Sequence, residues 1–291
     1  MIPTTLLSPL LSAKILKDSI SPEGVRLTTM ELVYPRFIHS ELMTHRVFSR
    51  NASSSRAIPT KRAIQMIRDH PALPASWRMN QRGMQGYVVA PQDVALQAQE
   101  IWLNAMEASI FWAEQMDMLG IHKQAVNRIT EPFAHIKVVV TSVYWDNWFG
   151  LRDHPAADPT IAALAAQMKE AFDASTPKAL GLGEWHLPYI SDEELAVLGV
   201  SNAIKVSAAR CARTSYNNHD GTATVLDKDI ALHDSLLVDQ PIHASPAEHQ
   251  ATPDSRVNQR GMWMKPELHG NLPGYIQYRK MLPNENMDKL I

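Results

Sequence analysis

A short polar stretch from Thr44 to Arg56 carries the side chains best suited to bind an anion. His45 and Arg46 stand side by side, and Arg50, Arg56, one asparagine and four serines follow within it. The forked guanidinium of arginine and the short hydroxyl of serine suit the oxygen atoms of a phosphate dianion. The same composition also suits a solvated loop that follows a helix with basic residues at its C-terminus. On this stretch alone, both interpretations stay open.

Four further stretches carry polar side chains at intervals that match a known pattern. They are Asn127-Arg128 with Pro132 four residues after the arginine, residues 147–152 (NWFGLR), residues 212–216 (ARTSY) and residues 243–249 (HASPAEH). Together with the first stretch, they resemble the motifs of the flavin-dependent thymidylate synthases.

The first stretch resembles the signature of that family, Arg-His-Arg followed by Ser-x-Asn-Glu-x-Ser-x-Arg-Tyr. The positions that match without a gap are His45, Arg46, Ser49, Asn51, Ser54 and Arg56. Thr44, Ala52 and Ala57 replace the first arginine, the glutamate and the tyrosine of the signature, and Glu41 stands where the family has a glutamine.

The order of the motifs differs from that of the family, in which the last two stretches precede the arginine stretch. A circular permutation explains the order, because permutation is tolerated where the original termini lie close together at the surface. It predicts that residues 243–249 lie beside residues 44–56. A second Ser-Pro copy occurs at residues 21–24. Of the two copies, we expect residues 245–249 to face the flavin, because His243 and His249 complete the pattern there.

Carried over position by position, the resemblance implies a flavin site and a nucleotide site. The residues expected to contact FAD are His45, Arg46, Asn51, Ser245 and Glu248, with Asn147 reaching in from a neighbouring subunit of a homotetramer. Those expected to bind the nucleotide are Glu41, Ser54, Arg56, Arg128 and Arg152. Ser54 and Arg152 are the expected catalytic residues. Arg152 would lie at the pyrimidine ring, where its charge stabilises electron density as C5 becomes nucleophilic.

The function that the resemblance implies is flavin-dependent methylation of a pyrimidine nucleotide at C5, most simply dUMP to dTMP. The implied cofactors are FAD, NADPH and methylenetetrahydrofolate, so the protein contributes binding, orientation and electrostatics. One alternative is a methylase or hydroxymethylase of another pyrimidine nucleotide, such as dCMP or UMP. The other is a non-catalytic protein that binds a flavin or a nucleotide.

The secondary structure expected around these residues indicates an α/β (α+β) fold with a central sheet flanked by long helices. We expect a strand at 25–34, helices at 37–46, 59–70, 92–119 and 122–128, a loop at 49–58, and a helix that begins at Asp158-Pro159. Residues 137–143 fit either a buried strand or an apolar helix. Residues 174–203 are expected to form an irregular connecting segment. It divides the chain into a core at 1–203 and a C-terminal part at 204–291, which packs into the same unit.

The long helix at 92–119 shows the strongest apolar periodicity of the chain. Its apolar residues recur at steps of three and four, which predicts a face buried in the core. They are Val94, Ala98, Ile101, Ala105, Ala108, Trp112, Met116 and Leu119.

Composition excludes several classes of protein. The 28 lysines and arginines against 30 aspartates and glutamates give a net charge of −2, which argues against a nucleic-acid partner. A single cysteine excludes a disulfide framework and a thiolate zinc site, and His39 and His45 lack the spacing of a helical metal pair. No apolar run reaches the ~20 residues of a membrane span, and the N-terminal leucines make a poor signal peptide, so we expect a cytoplasmic protein. Only 12 glycines and no G-x-G-x-x-G stretch leave a Rossmann site without support.

Two features have no role in this scheme. Cys211 lacks the context of a known nucleophile, so we expect a small buried thiol. The sequence Asn-Gln-Arg-Gly-Met occurs at both 80–84 and 258–262, each time followed shortly by Gly-Tyr. These copies could line a site or form two equivalent turns, and both options stay open.

Overall fold

A five-stranded sheet forms the centre of the molecule. The computed structural model describes residues 5–214, 225–238, 242–257, 261–283 and 285. The strands of the central sheet are β1 (Ser12–Ile20), β2 (Arg26–Pro35), β3 (Ser49–Ala52), β4 (His135–Ser142) and β5 (Lys178–Ala179). Their order is β3-β4-β2-β1-β5, with β5 parallel to β1 and the other neighbours antiparallel. The strand β4 settles the ambiguity at residues 137–143.

Helices flank this sheet, so the predicted α/β class is confirmed. They are α1 (His39–Met43), α2 (Thr60–Asp69), α3 (Gln92–Met118), α4 (Lys123–Val126), α5 (Asp146–Arg152), α6 (Pro159–Ala174), α7 (Asp192–Ala212), α8 (Leu226–Leu237) and α9 (Tyr278–Met281). A second, two-stranded sheet pairs β6 (Ala251–Pro253) with β7 (Tyr275–Gln277).

The two faces of the central sheet differ in chemistry because successive side chains of a strand point to opposite sides. One face is apolar: Met30 and Leu32 of β2 lie beside Val140 and Val138 of β4 and pack against α5 and α6. The opposite face carries polar side chains, among them Thr29 opposite Thr141. Residues from 186 onward cover this polar face.

Several local predictions need correction. The strand β1 was not predicted, and the helix expected at 37–46 is a 3₁₀ turn at Arg36–Ile38 followed by the short α1. The loop expected at 49–58 contains β3, because residues 49–52 pair one for one with residues 138–141 of β4. The connection expected at 174–203 is wrong in its second half, where Ser191 and Glu194 form a capping box that starts α7.

The helix α7 crosses the proposed division after residue 203. It bends at Gly199, whose φ of 68° lies in the left-handed region that favours glycine. Within the described part of the chain, α7 is the one helix long and apolar enough to cross a membrane. In the fold, its second half packs against α8 and a small apolar cluster, and Arg210 forms an ion pair with Glu194. This is the environment of a core helix.

The apolar stripe of α3 was assigned to the core, and this assignment is wrong. The side of α3 that packs on the rest of the chain carries Ala95, Met106, Ile110 and Ala113. The predicted stripe lies about 120° around the helix at ~100° per residue, and Ile101, Trp112 and Leu119 are 69%, 61% and 79% exposed. Periodicity identifies an apolar face, but it does not say what covers that face.

Candidate functional site

A cleft of about 390 Å³ brings together residues from distant parts of the chain. Its lining residues are Asn51, Ser54, Arg56, Ala57, His122, Gln124, Leu236, His243, Ser245 and Pro246. Four of them, Asn51, Ser54, Arg56 and Ser245, are residues that the sequence assigned to a ligand site. Ligand pockets span about 300–1,000 Å³, so this cleft has room for one ligand of mononucleotide size.

Two local structures place these side chains. The strand β3 ends at Ala52, and a 3₁₀ turn at Ser55–Ala57 follows, so that Ser54 and Arg56 lie at the rim of the sheet. The turn at Ser245–Glu248 packs beside β3. Oriented to suit its neighbours, the buried Asn51 amide donates to the carbonyl oxygens of Arg50 (2.9 Å) and Ser245 (3.2 Å). Residues 243–249 therefore lie beside residues 44–56 of the same chain, as the permutation predicts.

The polar side chains of the cleft are open. Among the described residues, the Ser54 hydroxyl, the Arg56 guanidinium and the side chains of Gln124 and His243 have no hydrogen-bond partner, and Arg56 and His243 are exposed. Donors without partners at a concave surface can bind an anion without first breaking a bond within the protein.

A second cluster surrounds Arg152, the residue expected at the pyrimidine ring. The Nε of Arg152 donates to His45 Nε2 (3.1 Å), Nη1 to Glu41 Oε2 (3.1 Å), and Nη2 to Thr44 Oγ1 (3.1 Å) and the Glu41 carbonyl (3.4 Å). Of its five N–H groups, one on Nη1 has no partner among the described residues. Glu41 and His45 therefore fix the guanidinium and leave this N–H for a ligand.

The His45 ring is buried and neutral. It lies 5.7 Å from Phe48 and 4.8 Å from Trp148, measured between ring centroids. Burial lowers the pKa of His45, and the nearby charges of Arg152 and Arg50 lower it further. Because Nε2 accepts from Arg152, the proton of the neutral ring is on Nδ1. Burial raises the pKa of Glu41, Asp158 adds to this, and Arg152 opposes it.

Glu41, His45 and Arg152 lie outside the lining of the cleft, and so do the remaining predicted residues. Arg46 and Asn147 are exposed. The exposed Arg128 pairs with Glu131 at 3.4 Å. Glu248 forms an ion pair with Arg279, and burial raises its pKa. Ser215 and Tyr216, the end of the 212–216 stretch, lie outside the described residues.

His122 and Gln124 line the cleft, although no sequence motif predicts a role for them. They lie at the start of α4, where the His122 Nδ1 accepts from the backbone N–H of Gln124 (3.3 Å). The segment was predicted as a helix, but nothing in its composition distinguishes a ligand wall from an ordinary solvated turn. Only the tertiary structure places it beside the turn that carries Arg56.

A chain of buried hydrogen bonds crosses the polar face of the sheet. His186 Nδ1 lies 2.9 Å from Ser19 Oγ and its Nε2 2.8 Å from Thr29 Oγ1; Thr29 Oγ1 lies 2.6 Å from Thr141 Oγ1, and that atom 2.8 Å from His249 Nδ1. All five side chains are fully buried. The last nitrogen, His249 Nε2, has no partner among the described residues. Burial lowers the pKa of both His186 and His249 to about 3.

The two features without a role have simple surroundings. Cys211 is buried, as expected, and burial raises the pKa of its thiol. The first Asn-Gln-Arg-Gly-Met copy lies in an exposed hairpin closed by the bridge between Arg78 and Val89. The second copy lies between Arg256 and Trp263, which form a similar bridge, but its residues 258–260 lie outside the described part of the chain. Within the described residues, no three histidine, cysteine or acidic side chains converge as a metal site.

Comparisons with known proteins give matches at the level of structure. No protein-family model and no curated protein matches the chain. Among solved structures, it is similar to a UMP/dUMP methylase PolB from Streptomyces cacaoi, in one crystal structure bound with 5-Br UMP and in another bound with 5-Br dUMP. For each, the sequence identity is 17%, the TM-score is 0.48, and the match covers 58% of this chain and 92% of the methylase chain.

Proposed function

We propose that this protein binds a pyrimidine nucleotide in the cleft and methylates its ring at C5, most simply converting dUMP to dTMP. The observation that carries the proposal is the meeting of Ser54 and Arg56 with Ser245 at one open cleft. These residues come from two motifs almost 200 positions apart. The sequence assigned Ser54 and Arg56 to the nucleotide and Ser245 to FAD, so the cleft joins residues expected at the two ligands.

The nucleotide phosphate is assigned to Ser54 and Arg56. Arg56 offers a fork of N–H donors that matches two phosphate oxygens, and the Ser54 hydroxyl adds a short bond to a third. Since neither side chain has a partner among the described residues, both are available to the ligand. Arg128 lies outside the lining of the cleft and would act on the phosphate only at longer range.

FAD, NADPH and methylenetetrahydrofolate remain part of the proposal as the sources of electrons and of the carbon unit. The residues assigned to FAD do not form one site within a single chain. Asn51 and Ser245 line the cleft, His45 is buried beside Arg152, Glu248 is paired with Arg279, and Asn147 is exposed on α5. The single chain therefore does not fit a complete flavin site, and we derive no catalytic step through a flavin.

The exposed stripe of α3 supports a homo-oligomer, proposed as a tetramer. Its residues are nearly symmetric about the point midway between positions 106 and 107: Ala105 and Ala108 are equidistant from this point, as are Ile101 and Trp112. Two copies of α3 that pack antiparallel across a two-fold axis would bring each Ala105 against an Ala108 and each Ile101 against a Trp112. Such self-complementary pairing is the usual form of a symmetric dimer interface.

This interface is tested by Trp112→Glu, which puts a charge into the stripe. We expect the variant to have a lower molar mass than the wild-type protein in light scattering coupled to size-exclusion chromatography. Gln167→Glu is the matched control, because it adds the same charge at an exposed position on α6, away from the stripe. A monomeric wild-type protein, or a Trp112→Glu variant of unchanged mass, would contradict the interface.

The reaction is tested by tritium release from [5-³H]dUMP, [5-³H]UMP and [5-³H]dCMP, with FAD, NADPH and methylenetetrahydrofolate present. Release from dUMP supports the proposed reaction, whereas release from dCMP or UMP alone assigns a different pyrimidine. Analysis of the product separates a methyl from a hydroxymethyl group.

Binding is measured in parallel by titration calorimetry with the same three nucleotides. Tight nucleotide binding without release of label from any of them would identify a non-catalytic binding protein. If none of the three nucleotides binds, the proposed function is wrong.

A further inference from the structure

The short helix α4 is fastened to the turn that carries Arg56. The Asn127 amide, which is 3% exposed, donates to the carbonyl oxygens of Ser55 (2.8 Å) and Ile58 (2.9 Å). Lys123 Nζ donates to the Ala57 carbonyl (3.0 Å). Three carbonyl oxygens of the segment 55–58 are thus bound by side chains at α4.

These bonds prepare the turn for an anion. A carbonyl oxygen is a hydrogen-bond acceptor and would repel a phosphate if it faced the cleft. Asn127 and Lys123 hold these oxygens on the side of α4, and Arg56 remains exposed at the cleft. A site whose donors are fixed before the ligand arrives loses less conformational entropy on binding.

The same helix also supplies a side chain suited to the base. Gln124 lies three residues before Asn127, and positions three apart share one side of a helix. It lines the cleft, and its side chain has no partner among the described residues. A carboxamide presents one donor and one acceptor side by side. This pattern pairs with N3–H and a carbonyl of uracil and, after a flip of the amide, with N3 and the amino group of cytosine.

We propose that α4 is the base-reading wall of the cleft, with Gln124 as the side chain that pairs with the pyrimidine edge and Asn127 as the positioning residue that holds this wall against the phosphate turn. The inference rests on the proposed function, since it assumes a pyrimidine nucleotide in the cleft. It adds two residues that the sequence motifs did not assign to ligand binding. Ser54 and Arg56 hold the phosphate end of the nucleotide, and Gln124 pairs with the edge of its pyrimidine base.

The test compares dUMP with deoxyribose 5-phosphate, which lacks the base, in titration calorimetry. Gln124→Ala is expected to weaken dUMP binding about tenfold, as the loss of a hydrogen-bonded pair implies, and to leave the affinity for deoxyribose 5-phosphate unchanged. Gln167→Ala removes the same side chain from an exposed position on α6 and is expected to change neither affinity.

Asn127→Ala is expected to weaken both ligands by a similar factor, because it releases the phosphate turn. A variant that melts at a lower temperature but binds both ligands as tightly as wild type would show that Asn127 is only structural. If Asn127→Ala does not fold, the Gln124 comparison decides the proposal alone.

The outcomes separate this inference from the proposed function. If the wild-type protein binds dUMP, but Gln124→Ala binds it equally well or loses both ligands alike, α4 is not the base-reading wall. If the wild-type protein binds neither dUMP nor deoxyribose 5-phosphate, the proposed function fails as well.

Discussion

Two polar groups lie on the same face of the central sheet, and they differ in whether the chain supplies their partners. In the buried hydrogen-bond network that links Ser19, through His186, Thr29 and Thr141, to His249, each hydroxyl and all but one ring nitrogen are hydrogen-bonded within the protein. In the cleft, Ser54 and Arg56 have no partner among the described residues. The two groups are close, because Asn51 of the cleft pairs with Val139, two residues from Thr141.

The difference shows what distinguishes an interior from a binding surface. A buried polar atom without a partner costs about 1–3 kcal/mol, so a covered network must satisfy itself. An open cleft keeps its donors hydrated until a ligand replaces the water. Substitutions in the buried hydrogen-bond network should therefore alter the free energy of unfolding, whereas substitutions in the cleft should alter ligand affinity alone.

The largest expected effect is that of acid on the buried histidines. The pKa of His186 and His249 is about 3 in the fold, against an ordinary value near 6.5. Above pH 6.5 both histidines are neutral in the folded and in the unfolded chain, so the free energy of unfolding has its full value. As the pH falls from 6.5 toward 3, only the unfolded chain takes up protons, and each histidine removes about 1.4 kcal/mol per pH unit.

Urea unfolding at pH 7 and pH 5 measures the effect, to which this pair should contribute roughly 4 kcal/mol. Burial also lowers the pKa of His39 and His135 to about 4, so these two histidines add to the difference with the same sign. His154→Gln, at an exposed position, should leave the difference between the two pH values unchanged. Equal stability at pH 7 and pH 5 would show that these rings are not held neutral.

The next effect is that of Thr141→Val, which keeps the shape of the side chain and removes its hydroxyl. His249 is then left without a hydrogen bond among the described residues, and Thr29 loses one of two. We expect a loss of about 2 kcal/mol in the free energy of unfolding, with nucleotide affinity nearly unchanged. Thr176→Val, at an exposed threonine, is the control and should stay within about 0.5 kcal/mol of wild type.

Arg56→Ala should produce the reverse pattern. Because Arg56 is exposed and has no partner among the described residues, the melting temperature should not change. The affinity for dUMP should fall about tenfold or more, as the loss of a charged hydrogen bond implies. Arg56→Lys should recover part of the affinity, since it keeps the charge but not the fork. A marked loss of stability would show that Arg56 stabilises the fold instead. Arg62→Ala, at another exposed arginine, is the control for the loss of charge alone.

The smallest effect is expected for Ser54→Ala. One neutral hydroxyl contributes about 1 kcal/mol, which is roughly a fivefold change in affinity. Stability should be unaffected, so the variant differs from Thr141→Val although both lose one hydroxyl. Unchanged binding of both dUMP and inorganic phosphate would remove Ser54 from the site.

Part of this architecture could be predicted from local sequence. Asp158 caps α6 by accepting from the backbone N–H groups of Thr160 and Ile161, and Gly120 takes a left-handed φ of 77° after α3. Such features depend on a few neighbouring residues, so the types of those residues are sufficient to predict them. The alternation that predicts β2 is local in the same sense.

The candidate site could be predicted only as a set of residue types. The motifs indicated Ser54, Arg56, Asn51 and Ser245, and the structure places all four at the cleft. The Gln124 wall could not be predicted, because its position depends on the bonds of Asn127 to a segment about 70 residues earlier. The pairing of Arg152 with Glu41, 111 residues away, could not be predicted from the sequence either.

The sequence by itself determined where some helices begin or end, as at Asp158 and Gly120, that β2 alternates, and which side chains can bind a phosphate. It also determined that α3 has an apolar stripe from Val94 to Leu119. Only the tertiary structure decided which polar groups find partners within the chain and which stay open, and that this stripe faces away from the core. The reason is physical: a side chain's chemistry is local, whereas its burial and its partners depend on contacts between residues far apart in the chain.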